Sequence, residues 1–174
     1  IGIMSRTRFE WTLIDFAIWY AGAVSVPVYE TSAPAQAAWA LSHSEAKAVF
    51  VEDDKLAGVI EQANSIEPLH LENTWVINNG ALDALITAGL NVPEEAVYTA
   101  RDTATCSSLA TIVYTSGTTG RPKGCPLTHG HFLNLSVNTK LAEPEIANPH
   151  NSSIIFLPLA HVLARLIQIL AMDA

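Results

Sequence analysis

A run of small polar residues, YTSGTTGRPKG from Tyr114 to Gly124, is the part of the sequence best suited to chemistry. Its hydroxyl side chains can donate hydrogen bonds to anionic oxygens, and its glycines let the backbone approach a ligand closely. Lys123 adds a cation on a long flexible stem. Because an apolar run precedes it, the segment is predicted to be an anion-binding loop at the end of a buried strand. The residues expected to contact the anion are Thr115, Ser116, Gly117, Thr118, Thr119, Gly120, Lys123 and Gly124.

The spacing of this loop differs from that of the P-loop NTPases, which place four residues between a glycine and Gly-Lys-Ser/Thr. Here Lys123 is followed by Gly124, so no hydroxyl stands ready for a metal at that place. The alternative is a plain flexible polar loop. Hydroxyls, glycines and a lysine together, directly after a buried strand, favour the ligand-binding interpretation.

Strand and helix patterns alternate along the chain and predict the elements that position this loop. Apolar runs predict strands at 2–4, 24–28, 48–51, 74–77, 109–114 and 153–156, and Pro27 must either end its strand or lie at a sheet edge. Helices are predicted over 9–23, from Thr31 or Ser32 through 41, over 55–63, 82–88 and 128–139, and after His161. Residues 91–108 suggest a connection. The fold class is therefore α/β, with a mostly parallel sheet flanked by helices on both faces.

Composition limits the classes of function. The chain has 174 residues, is 49% hydrophobic and only 15% charged, and carries a net charge of −8. Such a charge argues against nucleic-acid binding. The apolar composition suits either a well-packed domain or, as we favour, a piece of a larger protein whose other parts cover an apolar face.

No apolar stretch predicts a membrane span, and the two cysteines form no metal-binding pattern. Of the histidines, His129 and His131 are two apart and make a poor metal pair on a helix.

Two motifs carry a resemblance to a known family. Tyr114 to Gly124, followed by Leu127-Thr128-His129, resembles the phosphate-binding signature of the adenylate-forming enzymes: acyl-CoA synthetases, peptide-synthetase adenylation domains and luciferases. The segment FLPLAH ending at His161, with Arg165 after it, resembles the next motif of that superfamily. Its Pro-Leu-Ala-His form is most like the bacterial long-chain fatty acyl-CoA ligases. The resemblance implies that residues 1–174 are part of the large N-terminal domain, with the rest of that domain and the small C-terminal domain absent.

The resemblance also implies a chemistry and its cofactors. A fatty carboxylate would attack the α-phosphate of ATP, with Mg²⁺ bound, and coenzyme A would then displace AMP. Thr115 to Gly120 and Lys123 would hold the β- and γ-phosphates, and Thr115 is also implied as a Mg²⁺ ligand. Lys123 and His161 are the implied catalytic residues, with His161 between the acyl pocket and the α-phosphate. The alternative for His161 is a structural histidine in the core or at a helix start.

The implied partners are a fatty acid, ATP and coenzyme A, with no nucleic acid. The implied location is the cytoplasm, with peripheral membrane contact at most. Residues 1–174 alone are predicted not to catalyse adenylation. The alternatives are a truncated, non-catalytic ATP- or partner-binding module and, within the family, a fatty acyl-AMP ligase or a peptide-synthetase adenylation domain.

Overall fold

A parallel sheet forms the centre of the fold, as a computed structural model of the chain shows for residues 1–115, 121–145, 148 and 150–173. Its strands are β1 (Gly2–Met4), β2 (Val26–Val28), β3 (Ala48–Val51) and β4 (Asn73–Val76), in the order β2-β1-β3-β4. All three neighbouring pairs are parallel. The strands β1 to β3 are buried throughout, which is why they appear in the sequence as continuous apolar runs.

Helices cover both faces of this sheet, as predicted. They are α1 (Phe9–Tyr20), α2 (Pro34–His43), α3 (Asp54–Ile66), α4 (Ala81–Gly89), α5 (Glu94–Arg101), α6 (His129–Ala142) and α7 (Val162–Asp173). One apolar cluster joins α2 and α3 to the sheet through residues such as Leu41 and Ile60. A second joins α1 and α7 to the other face, through residues such as Trp11 and Ala164.

An antiparallel hairpin extends the sheet beyond β2. It consists of β5 (Leu109–Thr115) and β6 (Lys123–Thr128). A parallel bridge joins β5 to the chain just before β2: the Ser25 N–H donates to Ala110 O at 3.1 Å, and the Ile112 N–H donates to Ser25 O at 3.0 Å. β2, which contains Pro27, is the last strand of the four-stranded sheet, and the bridge to β5 is made at Ser25, before Pro27.

Three predictions about the order and position of strands and helices were wrong. The polar loop leads into a second strand, β6, and only then into α6, so the motif is strand–loop–strand–helix. Residues 153–156 form no strand; Ile154 and Phe156 there are largely exposed. The predicted connection over 91–108 contains α5, whose start is marked by Pro93 before two glutamates.

Helix boundaries also differ from those predicted. The N-cap of α2 is Ala33 rather than Thr31 or Ser32, and the Gln36 side chain accepts a hydrogen bond from the Ala33 N–H at 2.9 Å. The helix α1 ends at Tyr20 because Gly22, with φ of +69°, turns the chain away. Of the helices in the described ranges, none is both long enough and apolar enough to cross a membrane.

Candidate functional site

A cavity of about 450 Å³ lies at the carboxyl ends of β2 and β5, where open α/β sheets bind their ligands. It brings together Thr115, at the end of β5, and His161, at the start of α7. These two residues are 46 positions apart and were predicted to act at one site. The cavity is lined by Pro27, Val28, Tyr29, Ser32, Gln36, Trp39, Ala40, Val113, Tyr114, Thr115, Pro122, His161 and Val162.

The hairpin sets the position of the remaining predicted residues. In the β5–β6 register Thr115 is paired with Lys123, and Tyr114 with Gly124. The Lys123 side chain is exposed on β6 and is not part of the cavity lining. A Cβ at Gly124 would lie 3.1 Å from Ile112 Cγ2, so the absence of a side chain lets β6 pack closely on β5. The predicted residues Ser116, Gly117, Thr118, Thr119 and Gly120 lie outside the described residues.

His161 reaches the cavity because the segment before it is fastened to the core. The Thr7 hydroxyl donates to Leu157 O at 2.8 Å and accepts from the Leu159 N–H at 3.2 Å. Leu159 and Ala160 are buried. His161 itself is exposed, and its Nδ1 accepts a hydrogen bond from the Leu163 N–H at 3.2 Å. His161 therefore lies directly before a helix, as the structural alternative expects, and in the cavity wall, as the catalytic interpretation expects; its role stays a prediction.

A buried ion pair fixes α7 one turn after His161. Arg165 and Asp15, on α1, are both fully buried, and Arg165 Nη2 donates to both Asp15 carboxylate oxygens at 2.8 Å. Arg165 Nη1 also donates to Thr111 Oγ1, on β5, at 2.6 Å, and Nη2 donates to Ser25 Oγ at 3.0 Å. One guanidinium thus joins α1, β5 and α7, and the last two carry Thr115 and His161.

This cluster was missed from the sequence, apart from Arg165 as a member of a motif. Its two charges are 150 residues apart in the chain, and no local pattern links them. Burial raises the pKa of the Asp15 carboxyl, while the charge of Arg165 opposes that rise. The guanidinium also lies 5.3 Å from the ring centroids of Trp19 and Phe132, so aromatic faces complete its surroundings.

The wall formed by α2 was also missed. Tyr29, Ser32, Gln36 and Trp39 face the cavity from the end of β2 and from α2. A large apolar residue such as Trp39 is expected in a core, but no local pattern places it in the cavity wall. Tyr114 lies in the same wall, and burial raises the pKa of its hydroxyl above the ordinary value of 10.0, so it stays protonated at neutral pH.

The histidines of α6 have structural contacts. The Thr128 N–H donates to His131 Nδ1 at 3.0 Å, and the His131 N–H donates to Thr128 Oγ1 at 3.3 Å, which together cap the helix. His129 packs edge-on against Trp19 at 5.2 Å, and burial lowers the pKa of its imidazole. Within the described ranges, no group of three or more His, Cys, Asp or Glu side chains could hold a metal ion.

Comparison with known sequences gives consistent matches over nearly the whole chain. The family model described as AMP-binding enzyme matches residues 1–172. The long-chain-fatty-acid–CoA ligase FadD15 of Mycobacterium bovis is 43% identical over 172 residues, covering 97% of this chain and 28% of that protein. The peroxisomal long chain acyl-CoA synthetase 7 of Arabidopsis thaliana is 30% identical over 182 residues, covering 98% of this chain and 25% of that protein. The chain therefore spans about a quarter of the length of these relatives.

Solved structures share the fold at lower identity. The long-chain-fatty-acid-CoA ligase FadD1 of Archaeoglobus fulgidus superposes with a TM-score of 0.71 at 18% identity, covering 98% of this chain and 32% of that chain. ATP-bound MatB of Rhodopseudomonas palustris superposes with a TM-score of 0.72 at 20% identity, covering 98% of this chain and 33% of that chain. The fold therefore agrees with the sequence match, and the chain belongs to the AMP-binding enzyme family.

Proposed function

We propose that these residues are part of the large N-terminal domain of an AMP-forming long-chain fatty acid–CoA ligase. One observation carries the proposal: the cavity at the carboxyl ends of β2 and β5 brings the Thr115 end of the polar loop and His161 together. The 43% identity to a protein named as such a ligase supports the choice of substrate class. The catalytic activity is proposed for a longer protein, because the matched relatives are about four times as long as this chain.

The proposed reaction has two steps. A fatty carboxylate oxygen forms a bond to the α-phosphorus of ATP as the bond from that phosphorus to the bridging oxygen breaks, and pyrophosphate leaves. The sulfur of coenzyme A, having lost its thiol proton to solvent, then forms a bond to the acyl carbon as the bond from that carbon to the phosphate oxygen breaks, and AMP leaves. The carboxylate is already ionised at neutral pH, so the first step needs positioning and charge stabilisation more than a base.

The side chains of the cavity suit these needs. In the proposal, Thr115 Oγ1 donates to a phosphate oxygen, and the Ser116 to Gly120 segment that follows holds the β- and γ-phosphates. Lys123 is exposed on the strand opposite Thr115, where its four-carbon stem could swing toward the leaving pyrophosphate. His161, on the other wall, would contact the α-phosphate or the acyl group.

Mg²⁺ would neutralise part of the charge of the phosphates. Among the residues that line the cavity, Thr115 would offer its hydroxyl as one ligand for it. Mg²⁺ usually keeps several waters and binds one or two carboxylates plus substrate phosphates. The carboxylate ligands are therefore proposed to come from other parts of the longer protein.

Carboxylate-dependent exchange of labelled pyrophosphate into ATP is the test of the adenylation step. We expect the full-length protein to catalyse it with long-chain fatty acids better than with acetate or with amino acids. Exchange with amino acids alone would instead indicate a peptide-synthetase domain. ATP binding without exchange for any carboxylate would indicate a non-catalytic module.

Formation of an acyl thioester separates the two enzymes that share this first step. A CoA ligase releases acyl-CoA and AMP when coenzyme A is added, whereas an acyl-AMP ligase accumulates the adenylate. Residues 1–174 alone are proposed to be inactive. Substrate-dependent exchange by the purified chain would overturn that part of the proposal.

A further inference from the structure

Both strands of the hairpin are fastened to the last turns of α2. The strand β5 contributes Tyr114, and the two residues before β6, Arg121 and Pro122, form the second attachment. The α2 residues that contact them are Trp39 and His43, four positions apart and therefore on one face of the helix. Residues 115–120 separate the two attachments in the sequence, and phosphate binding is proposed for them above.

Trp39 makes the most specific of these contacts. Its indole Nε1–H donates to the backbone oxygen of Pro122 at 2.8 Å. The Arg121 guanidinium carbon lies 4.6 Å from the centroid of the Trp39 ring, within the range of a cation–π contact. One side chain thus bonds the backbone of one residue and the cation of its neighbour. Trp39 also lines the cavity, so this contact forms part of the wall of the site.

His43 holds the other strand. Its Nδ1 lies 2.8 Å from the Tyr114 hydroxyl, and the His43 ring lies 4.8 Å from the Trp39 ring. The three aromatic rings therefore form a continuous row from β5 through His43 to Trp39. The nearby pair of Arg121 and Glu67, at 4.0 Å and with a largely exposed arginine, adds little. The row fixes the separation of the two strand ends independently of the bonds within the hairpin.

From this arrangement we propose that Trp39 is a positioning residue for nucleotide binding. By holding Pro122 in the cavity wall, it keeps the start of β6 in place, with Lys123 paired to Thr115, and these are two of the residues proposed above to contact the phosphates of ATP. The inference rests on the proposed function for its nucleotide and on the contacts of Trp39 for its mechanism. The two parts can be tested separately.

The test variant is Trp39→Phe in the full-length protein. Phenylalanine keeps an aromatic ring beside His43 and Arg121 but has no N–H to donate to Pro122. The matched control is Trp75→Phe, because Trp75 lies on β4, at the opposite end of the sheet from β2, where it packs on Phe50. Hydrogen exchange of the β6 amides, without ligand, measures the attachment. Steady-state kinetics with ATP and with the fatty acid measure its consequence.

We expect exchange in β6 to become about fivefold faster in Trp39→Phe, and the KM for ATP to rise by about fivefold. Fivefold is the change that corresponds to one hydrogen bond of about 1 kcal/mol. The KM for the fatty acid should stay within twofold of wild type, and Trp75→Phe should change neither exchange in β6 nor the KM for ATP.

Unchanged exchange in Trp39→Phe would overturn the attachment. Faster exchange with an unchanged KM for ATP, in an active protein, would overturn the positioning role. Equal increases in both KM values would show a general disturbance and also overturn it. If the wild-type protein shows no ATP-dependent activity, the proposed function fails together with the nucleotide part of this inference, and the exchange data still decide whether Trp39 holds β6.

Discussion

Replacing Asp15 by asparagine tests whether the buried ion pair holds the two walls of the cavity together. The substitution keeps the shape of the side chain and removes its charge. Arg165 would then be a fully buried cation that faces two neutral hydroxyls, Thr111 and Ser25, and one neutral amide. Desolvation of such a charge is the main cost, because its compensation has been removed.

The expected loss follows from the contacts. The carboxylate accepts three close contacts from the guanidinium, at 2.8, 2.8 and 3.2 Å, and the amide can keep no more than its one oxygen. Breaking a buried pair by removing one partner costs about 3–5 kcal/mol. Because an amide oxygen remains as an acceptor, we expect a value near the lower end, about 3 kcal/mol in the free energy of unfolding.

Urea denaturation of the chain, followed by circular dichroism, measures this loss. The matched control is Asp83→Asn, at an exposed position in the first turn of α4, where only a helix-dipole contribution of about 1 kcal/mol or less is at stake. The double variant Asp15→Leu/Arg165→Met replaces the pair with apolar side chains and should be less destabilised than Asp15→Asn. Equal losses in Asp15→Asn and Asp83→Asn would refute the conclusion that this pair stabilises the packing of α1, β5 and α7.

Two further predictions concern stability. Gly130→Ala should destabilise the fold by about 1–3 kcal/mol, because the new Cβ would lie 2.7 Å from the backbone oxygen of Cys106. Gly58→Ala, with free space around it in α3, should instead stabilise the fold by about 0.5–1 kcal/mol. Thermal unfolding measures both changes. Arg6 lowers the pKa of Glu52 below its ordinary value of 4.5, so the stability from this carboxylate is complete above that pH and is lost as the pH falls below it. The unfolding free energy of Glu52→Gln should therefore decline less than that of wild type between about pH 5 and pH 3. Parallel declines in the two proteins would refute this.

The sequence predicted β1, β2 and β3 well because burial on both faces makes them continuous apolar runs. It did not predict β6, because this strand is not a continuous apolar run. Lys123–Thr128 reads KGCPLT, with a glycine and a proline where a strand usually carries β-branched residues. This strand forms because β5 is already in place and pairs with it, a tertiary effect that no local pattern reports. The opposite error occurred at 153–156, where an apolar run is largely exposed and unpaired.

Residues of the candidate site that belong to a sequence motif could be predicted, whereas residues that reach the site only through packing could not. Thr115 and His161 were predicted from their motifs; the cavity brings them together, and their roles stay predictions. Asp15 and Trp39 belong to helices that pack against those motifs from far away in the chain, so their contacts become visible only in three dimensions. The helix α5 is a different case, because Pro93 and the two glutamates after it are a local start pattern that could have been recognised.

Pyrophosphate exchange by the full-length protein, wild type against Lys123→Ala, tests the proposed function most directly. We expect exchange that depends on a long-chain fatty acid, and a rate about tenfold to a thousandfold lower in Lys123→Ala, the range for loss of one charge-stabilising group. Exchange that is absent from the wild-type protein, or present without any dependence on a carboxylate, would contradict the proposed adenylation. An unchanged rate in Lys123→Ala would remove Lys123 from the reaction.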